Sequence, residues 1–206
     1  MPNTNGAFGL RPINLAGSAP NSAGTNAYFI GSTASAIYTG SPVIAVNAGQ
    51  IAITGSASGD TYKHVGVFAG CEYVSSTTGK KVFGAFWPGS GFANTNFDII
   101  GYVYDNPLQR FIISTDATFT SKATARAAIF ENSQFTTGTS GSTTTGISSA
   151  SLNVATLDAA DPSLPLKIVG IQDDAQNQDY AAAGIPVIVM FNNHALLEAN
   201  SEGVVA

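Results

Sequence analysis

The chain has 206 residues, enough for one large all-β domain or two small ones. Only 10% of them are Asp, Glu, Lys or Arg, against roughly 25% in an ordinary soluble domain, and the net charge is −5. Eight scattered basic residues, with Lys80-Lys81 as the one adjacent pair, argue against a sequence-independent grip on nucleic acid. They argue equally against a polybasic membrane patch.

Residues 1–27 carry no sustained period of 2 or 3.6. Here "NGAFGLRPIN" (5–14) holds two glycines, an isolated Phe and Leu, and an Arg fixed ahead of a Pro. Arg11 is biased toward extended geometry, because the residue before proline avoids the α region. The segment is expected to be an extended arm that holds on to another chain, joined at residue 28 to a β-rich domain spanning 28–206. "GSAPNSAGTN" (17–26) reads as loop.

Short strand signals follow. "AYFIG" (27–31) is aromatic and β-branched. "SPVIAV" (41–46) has Pro42 at its start, and "QIAIT" (50–54) follows after a three-residue connection that suits a hairpin. "HVGVFAGCEYV" (64–74) alternates, placing Val65, Val67, Ala69, Cys71 and Tyr73 on one face and Gly66 and Gly70 on the other. "KKVFGAFW" (80–87) is a strand closed by Pro88-Gly89. "FDIIGYVYD" (97–105) ends in Asp105-Asn106-Pro107 and "QRFIIST" (109–115) returns from it, which predicts the clearest hairpin in the chain.

Residues 120–132 form the single stretch with helical character, with Ser121 as its cap. The run "TTGTSGSTTTGISSAS" (136–151) fits either a loop or polar-faced strands. "LPLKIVGIQ" (164–172) and "IPVIVMFNNH" (185–194) are strands, the second so apolar that it is expected at the centre of a sheet, buried on both faces. About ten short strands without alternating helices predict a mostly β fold, an antiparallel sandwich or barrel with at most one short helix.

The sequence offers little chemistry. Neighbours on a strand point to opposite faces, so Asp173-Asp174 do not share a site and read as solvated loop. Asp158 and Asp161 lack calcium-loop spacing and suit turns. His64 and His194 have no metal-ligand spacing, and a structural role is expected of each. Cys71, the single cysteine, sits among apolar neighbours as a small buried hydrophobe, with no positive neighbour to activate it. A thiol or serine hydrolase paired through His194 is the weakest of the readings. "WPGSGF" (87–92) lacks the Lys-Ser/Thr of a phosphate loop. The aromatics Phe97, Tyr102 and Tyr104, with Tyr62, Tyr73, Phe86 and Trp87 nearby in sequence, could form a platform for sugar rings, although core and subunit contact suit them better. No enzyme activity, cofactor or metal is expected. No run reaches the 18 apolar residues of a membrane span, and none reads as a targeting segment.

Seven segments, taken in order, carry a resemblance: "GAFGLRPI" near the start, "YFIG…TGSPV" (28–43), "GVFAGCEY" (66–73), "YVYDNPLQRFII" (102–113), "TTGISSASL" (144–152), "LPLKIVG" (164–170) and "VIVMFNNH" (187–194). Together they resemble a family of small structural proteins of tailed bacteriophages, similar to head decoration or cement proteins. Asn106 stands where a second Asp would be expected, and serves the same turn. The resemblance implies a non-enzymatic protein on the capsid exterior of the virion, assembled in the host cytoplasm. It implies the major capsid protein as partner and a homotrimer as the natural form at three-fold junctions. On that reading Phe8, Leu10, Arg11 and Pro12 are the capsid-binding residues of the arm, with the two apolar side chains as anchors and Arg11 contacting paired acceptors. The alternative is a virion-surface or tail module that binds host glycans.

Overall fold

The structure, a computed structural model, describes residues 3–4, 6–17, 24–54 and 63–197. The described chain is mostly β, with thirteen strands and a single short α-helix. The strands are β1 (Arg11–Leu15), β2 (Asn26–Ile30), β3 (Pro42–Val46), β4 (Gln50–Ile53), β5 (His64–Val74), β6 (Lys81–Gly84), β7 (Ile99–Tyr104), β8 (Gln109–Ser114), β9 (Asn132–Ser133), β10 (Phe135–Thr136), β11 (Ser151–Leu152), β12 (Leu166–Ile171) and β13 (Pro186–Phe191).

Five strands close into a barrel in the order β3-β4-β2-β7-β5, with β5 returning to β3. All neighbours are antiparallel except β2 and β4. β6 extends the sheet beside the second half of β5. Ile30, Val43, Ile51, Phe68, Val103 and the fully buried Trp87 fill this core. Closure leaves these five strands without the open edges that invite foreign pairing.

The second sheet is antiparallel, in the order β1-β8-β13-β12-β9. Its core holds Phe111, Ile113, Phe135, Leu166, Ile168 and Val189. β13 is central, as expected, but Ile188 and Met190 on its other face are only partly buried. It is therefore well buried on one face alone.

The predicted pairing of β3 with β4 is present, with Val46 opposite Gln50. The predicted β7–β8 hairpin is not. The Asp105–Leu108 turn reverses nothing within one sheet; it carries the chain from the barrel to the second sheet. Asp105 fixes this corner. Its buried carboxylate accepts from Asn26 Nδ2 (2.8 and 3.0 Å) and from the Tyr28 hydroxyl (2.6 Å), so the end of β7 is held to β2.

β5 also departs from simple alternation. Its register shifts against β3 near Gly66 and against β7 between Phe68 and Gly70. Each extra residue flips the pleat. Val65, Phe68 and Cys71 consequently face the barrel, whereas Val67 faces the second core. At Gly66 a Cβ would overlap the carbonyl oxygen of Tyr104, so the close approach of β7 requires glycine.

The helix α1 (Lys122–Ala127) is capped by Ser121, whose hydroxyl accepts from the Thr124 N–H at 3.1 Å. It spans less than the predicted 120–132.

Among residues 1–27, those described do not stand apart from the β-rich domain. The described part folds onto its own chain. Asn3 donates to the carbonyls of Asp179 (3.0 Å) and Ala183 (2.8 Å), and Thr4 N–H donates to Asn177 Oδ1 (2.8 Å). Leu10 is 1% exposed within the second core, and β1 pairs with β8 through Arg11↔Ile112 and Pro12↔Phe111. The physical cause is plain: an open β8 edge offers backbone partners, and burial of a leucine stabilises the docked segment by about 2 kcal/mol.

Candidate functional site

Docking of the N-terminal segment separates the four candidate residues. Leu10 points into the core and Pro12 lies half-buried in β1. Phe8 and Arg11 stay at the surface together. The Arg11 guanidinium carbon sits 4.3 Å from the centroid of the half-buried Phe8 ring, in cation–π geometry. Gly9 makes this division of labour: its φ is +71°, and a Cβ would come within 2.7 Å of the Gly40 carbonyl oxygen. The chain can thus turn Phe8 outward and Leu10 inward within three residues.

Across from Phe8 and Arg11 runs the Thr/Ser/Gly stretch. It is neither a free loop nor a set of long strands. Between β10 and β11 it forms turns, with Ser142 N–H bonded to the Ile147 carbonyl (2.9 Å) and Gly146 N–H to the Ser142 carbonyl (2.7 Å). Thr39 holds it from both sides, its N–H donating to Gly146 (2.9 Å) and its carbonyl accepting from Ser148 (2.9 Å). Gly141 lies against the face of Tyr38, where no side chain would fit.

The two segments enclose a groove of about 320 Å³, lined among others by Phe8, Arg11, Ser142, Thr145, Ile147 and Ser148. The hydroxyl chemistry has a direction. Ser142 Oγ accepts from Thr145 N–H (3.2 Å), Thr145 Oγ1 from Ile147 N–H (3.4 Å) and Ser148 Oγ from Ala150 N–H (3.1 Å). Each oxygen accepts one backbone N–H and keeps its hydrogen and a second lone pair; Thr145 is exposed and Ser142 partly so, whereas Ser148 is buried. Arg11 makes no ion pair among the described residues and adds its guanidinium donors. With the Arg11 guanidinium on Phe8 beside the hydroxyls of Ser142 and Thr145, the groove suits an acceptor-bearing group such as a carboxylate.

Comparison with protein-family models, curated proteins and solved structures finds no match to this chain.

The remaining candidates fall into structural places. Cys71 lies in the barrel core, its thiol donating to the Phe86 carbonyl at 3.3 Å, and burial pushes its pKa up to about 12. His64 lies seven residues earlier on β5, about 20 Å along an extended strand. Its ring stacks on Phe191 (5.1 Å, 16°) and abuts Phe135 (5.5 Å), with Nδ1 3.2 Å from Asn193 Oδ1. Burial holds His64 down at about 4, and His194 likewise. The backbone of 193–195 pairs with that of His64, which ties the end of β13 to the start of β5. Thiol and imidazoles are not brought together.

Asp158 Oδ1 accepts from Ala160 N–H (2.8 Å), and Asp161 Oδ1 from Ser163 N–H (2.9 Å), as turn-forming groups do. Asp174 accepts from Asn177 Nδ2 (2.7 Å) and Gln176 N–H (3.0 Å), and these bonds hold its carboxyl below the usual range. Among the described residues no three His, Cys, Asp or Glu side chains gather to hold a metal, and no helix is long and apolar enough to cross a membrane.

Most of the proposed aromatic platform is absorbed by packing. Trp87 is buried, Tyr73 meets it edge-on at 5.3 Å, and Tyr104 packs against the second core. Tyr62 lies outside the described residues. Phe97 is exposed, beside Phe29, which the sequence reading did not single out. Nor did that reading find Ser142, Thr145 and Ser148 as a wall of the groove. The available signal was their spacing to backbone donors two or three residues on, the pattern of serine and threonine turns.

Proposed function

We propose that this chain is a structural protein of a phage particle that binds the outer surface of the mature capsid at capsomer junctions and stabilises it there. Binding only the mature lattice stabilises that lattice by linkage. Three copies around a local three-fold suit such a junction. The ordered motifs of the sequence support membership, and the low charge supports assembly, because few ions need desolvating when the surface is covered.

The observation that carries the contact itself is the groove in which Arg11 is laid on Phe8 opposite the hydroxyls of Ser142 and Thr145. A carboxylate or paired carbonyls on the shell protein complement it. The test is copy number in purified particles, counted against the major capsid protein by mass spectrometry. A ratio near one copy per capsid subunit is expected; absence of the chain from particles overturns the reading.

A second reading rests on Phe29 and Phe97, about half exposed, which line a separate groove of about 320 Å³ with Gln50 and Asp98. Exposed rings beside an amide and a carboxylate suit a sugar ring and its hydroxyls. Glycan-array binding that is lost in Phe29→Ala and Phe97→Ala would favour it.

A further inference from the structure

We propose that residues 193–197 are an acid-released clasp, which fastens the end of β13 to the start of β5 while His64 and His194 are neutral and lets go when they take up protons.

The clasp joins the two sheets through backbone. His64 N–H donates to the Asn193 carbonyl at 3.2 Å, and the His64 carbonyl accepts from Ala195 N–H at 2.9 Å. Both imidazoles are buried at this seam, His64 at 0% and His194 at 1% exposure. Phe191 stacks on His64 at 5.1 Å and meets His194 edge-on at 6.0 Å, so both lie against one ring.

Hydrogen bonds fix where each proton sits. His194 Nδ1 accepts from Leu196 N–H at 3.2 Å, which puts the ring's one proton on Nε2. His64 Nδ1 faces the acceptor Asn193 Oδ1 at 3.2 Å and carries the proton there. Both Nε2 atoms are buried and neither has a hydrogen-bond partner. A second proton must enter His194 at Nδ1, where it displaces Leu196 N–H, or His64 at Nε2, where no acceptor receives it. Either event leaves a buried cation unsatisfied.

The charged groups that act on the pair compete. Each histidine faces the other, and a charge on His194 opposes one on His64. The Asp105 carboxylate and the Val65 backbone favour a charged His194, but Asp105 is already held by Asn26 and Tyr28. Burial outweighs them, and both rings titrate near 4 instead of 6.5. Each therefore makes release about 20-fold easier at pH 5 than at pH 7.

Release is local because the segment has little other anchorage among the described residues. Leu196 and Leu197 are 58% and 57% exposed, and Ala195 supplies its apolar contact with the barrel core. Asn192 is the hinge. Its Nδ2 donates to the carbonyls of Pro162 (2.9 Å) and Leu164 (3.2 Å), and none of these groups titrates. Opening a segment so lightly held costs less than unfolding the sheets.

The test is residue-resolved amide exchange on the full chain at pH 7 and pH 5, corrected for intrinsic rates, in a series of low urea concentrations. The amides of Ala195 and Leu196 are expected to lose protection by about 20-fold or more at pH 5 and to exchange independently of urea. Amides of β7 should stay slower and respond to urea. Ala195 and Leu196 exchanging at the rate and urea dependence of β7 would show that they open only with the whole chain, and would overturn the proposal. So would equal protection at the two pH values. The double variant His64→Gln/His194→Gln should lose the pH response; a full response in that variant assigns it to other groups and also overturns the clasp. The wild-type comparison decides alone if the variant does not fold.

Discussion

The Tyr28 hydroxyl donates a 2.6 Å hydrogen bond to Asp105 Oδ2, joining the second strand of the barrel to the corner where the chain leaves it. The carboxylate also accepts both contacts from Asn26, and burial, followed by the Asp105 bond and charge, raises the Tyr28 pKa above its ordinary value. Asp105→Ala therefore strands two donors at once. We expect a loss of about 2–3 kcal/mol, against about 1 kcal/mol for Tyr28→Phe, read from urea midpoints. Equal and negligible losses would contradict the anchoring role.

Acid should loosen the fold in a window set by the histidines. His64 titrates near 4 when folded and near 6.5 when unfolded. Between those values the unfolded chain binds more protons, so stability falls as pH drops below about 6.5 and the loss is complete below about 4. For His64 the loss by pH 5 is about 2 kcal/mol, and His194 is shifted in the same direction. His64→Gln should flatten the dependence between pH 7 and 5. An unchanged slope in that variant would show that His64 is not the group responsible.

The thiol of Cys71 should be inert in the native protein. Burial raises its pKa to about 12, so little thiolate exists at pH 8. A thiol-reactive dye is expected to react only on unfolding, with one equivalent per chain. Prompt labelling of native protein would place Cys71 outside the barrel core.

Gly9→Ala should cost about 2 kcal/mol or more. The substitution forces a left-handed conformation on alanine and a contact with the Gly40 carbonyl. The cost should appear in thermal unfolding, along with altered presentation of Phe8.

Arg11→Ala should separate function from folding. The cation–π contact is exposed and contributes about 0.5 kcal/mol, so the melting temperature should barely move. Binding to mature shells should weaken at least tenfold, measured by co-sedimentation. Full binding by Arg11→Ala would remove the groove from the contact.

The sequence made the strands legible where alternation and turn chemistry agree, as in Pro42–Val46 and Gln50–Ile53. It misassigned the partner of Ile99–Tyr104, because Asp105-Asn106-Pro107 signals a turn without stating which sheet receives the next strand. That choice belongs to burial: Val103 fits the barrel and Phe111 the second core. The bulges near Gly66 and Gly70 were invisible for a related reason, since one extra residue matters only relative to a partner strand. Phe8 and Leu10 stood out together as outward anchors beside Arg11, and only Leu10 turned inward. An isolated leucine does not say whose core it enters. The wall formed by Ser142–Ser148 is brought to Arg11 by the fold, more than 130 residues away along the chain.

The strand His64–Val74 has a mechanical consequence. Its side chains enter both cores, with Val67 in one and Val65, Phe68 and Cys71 in the other. Its backbone hydrogen bonds lie within the barrel sheet, so a load passing from the second sheet reaches it through the packing of Val67 and the backbone bridge of His64 to the end of β13. Tension between the barrel and the second sheet is therefore focused on the first half of this strand, where Val67 and His64 make those contacts.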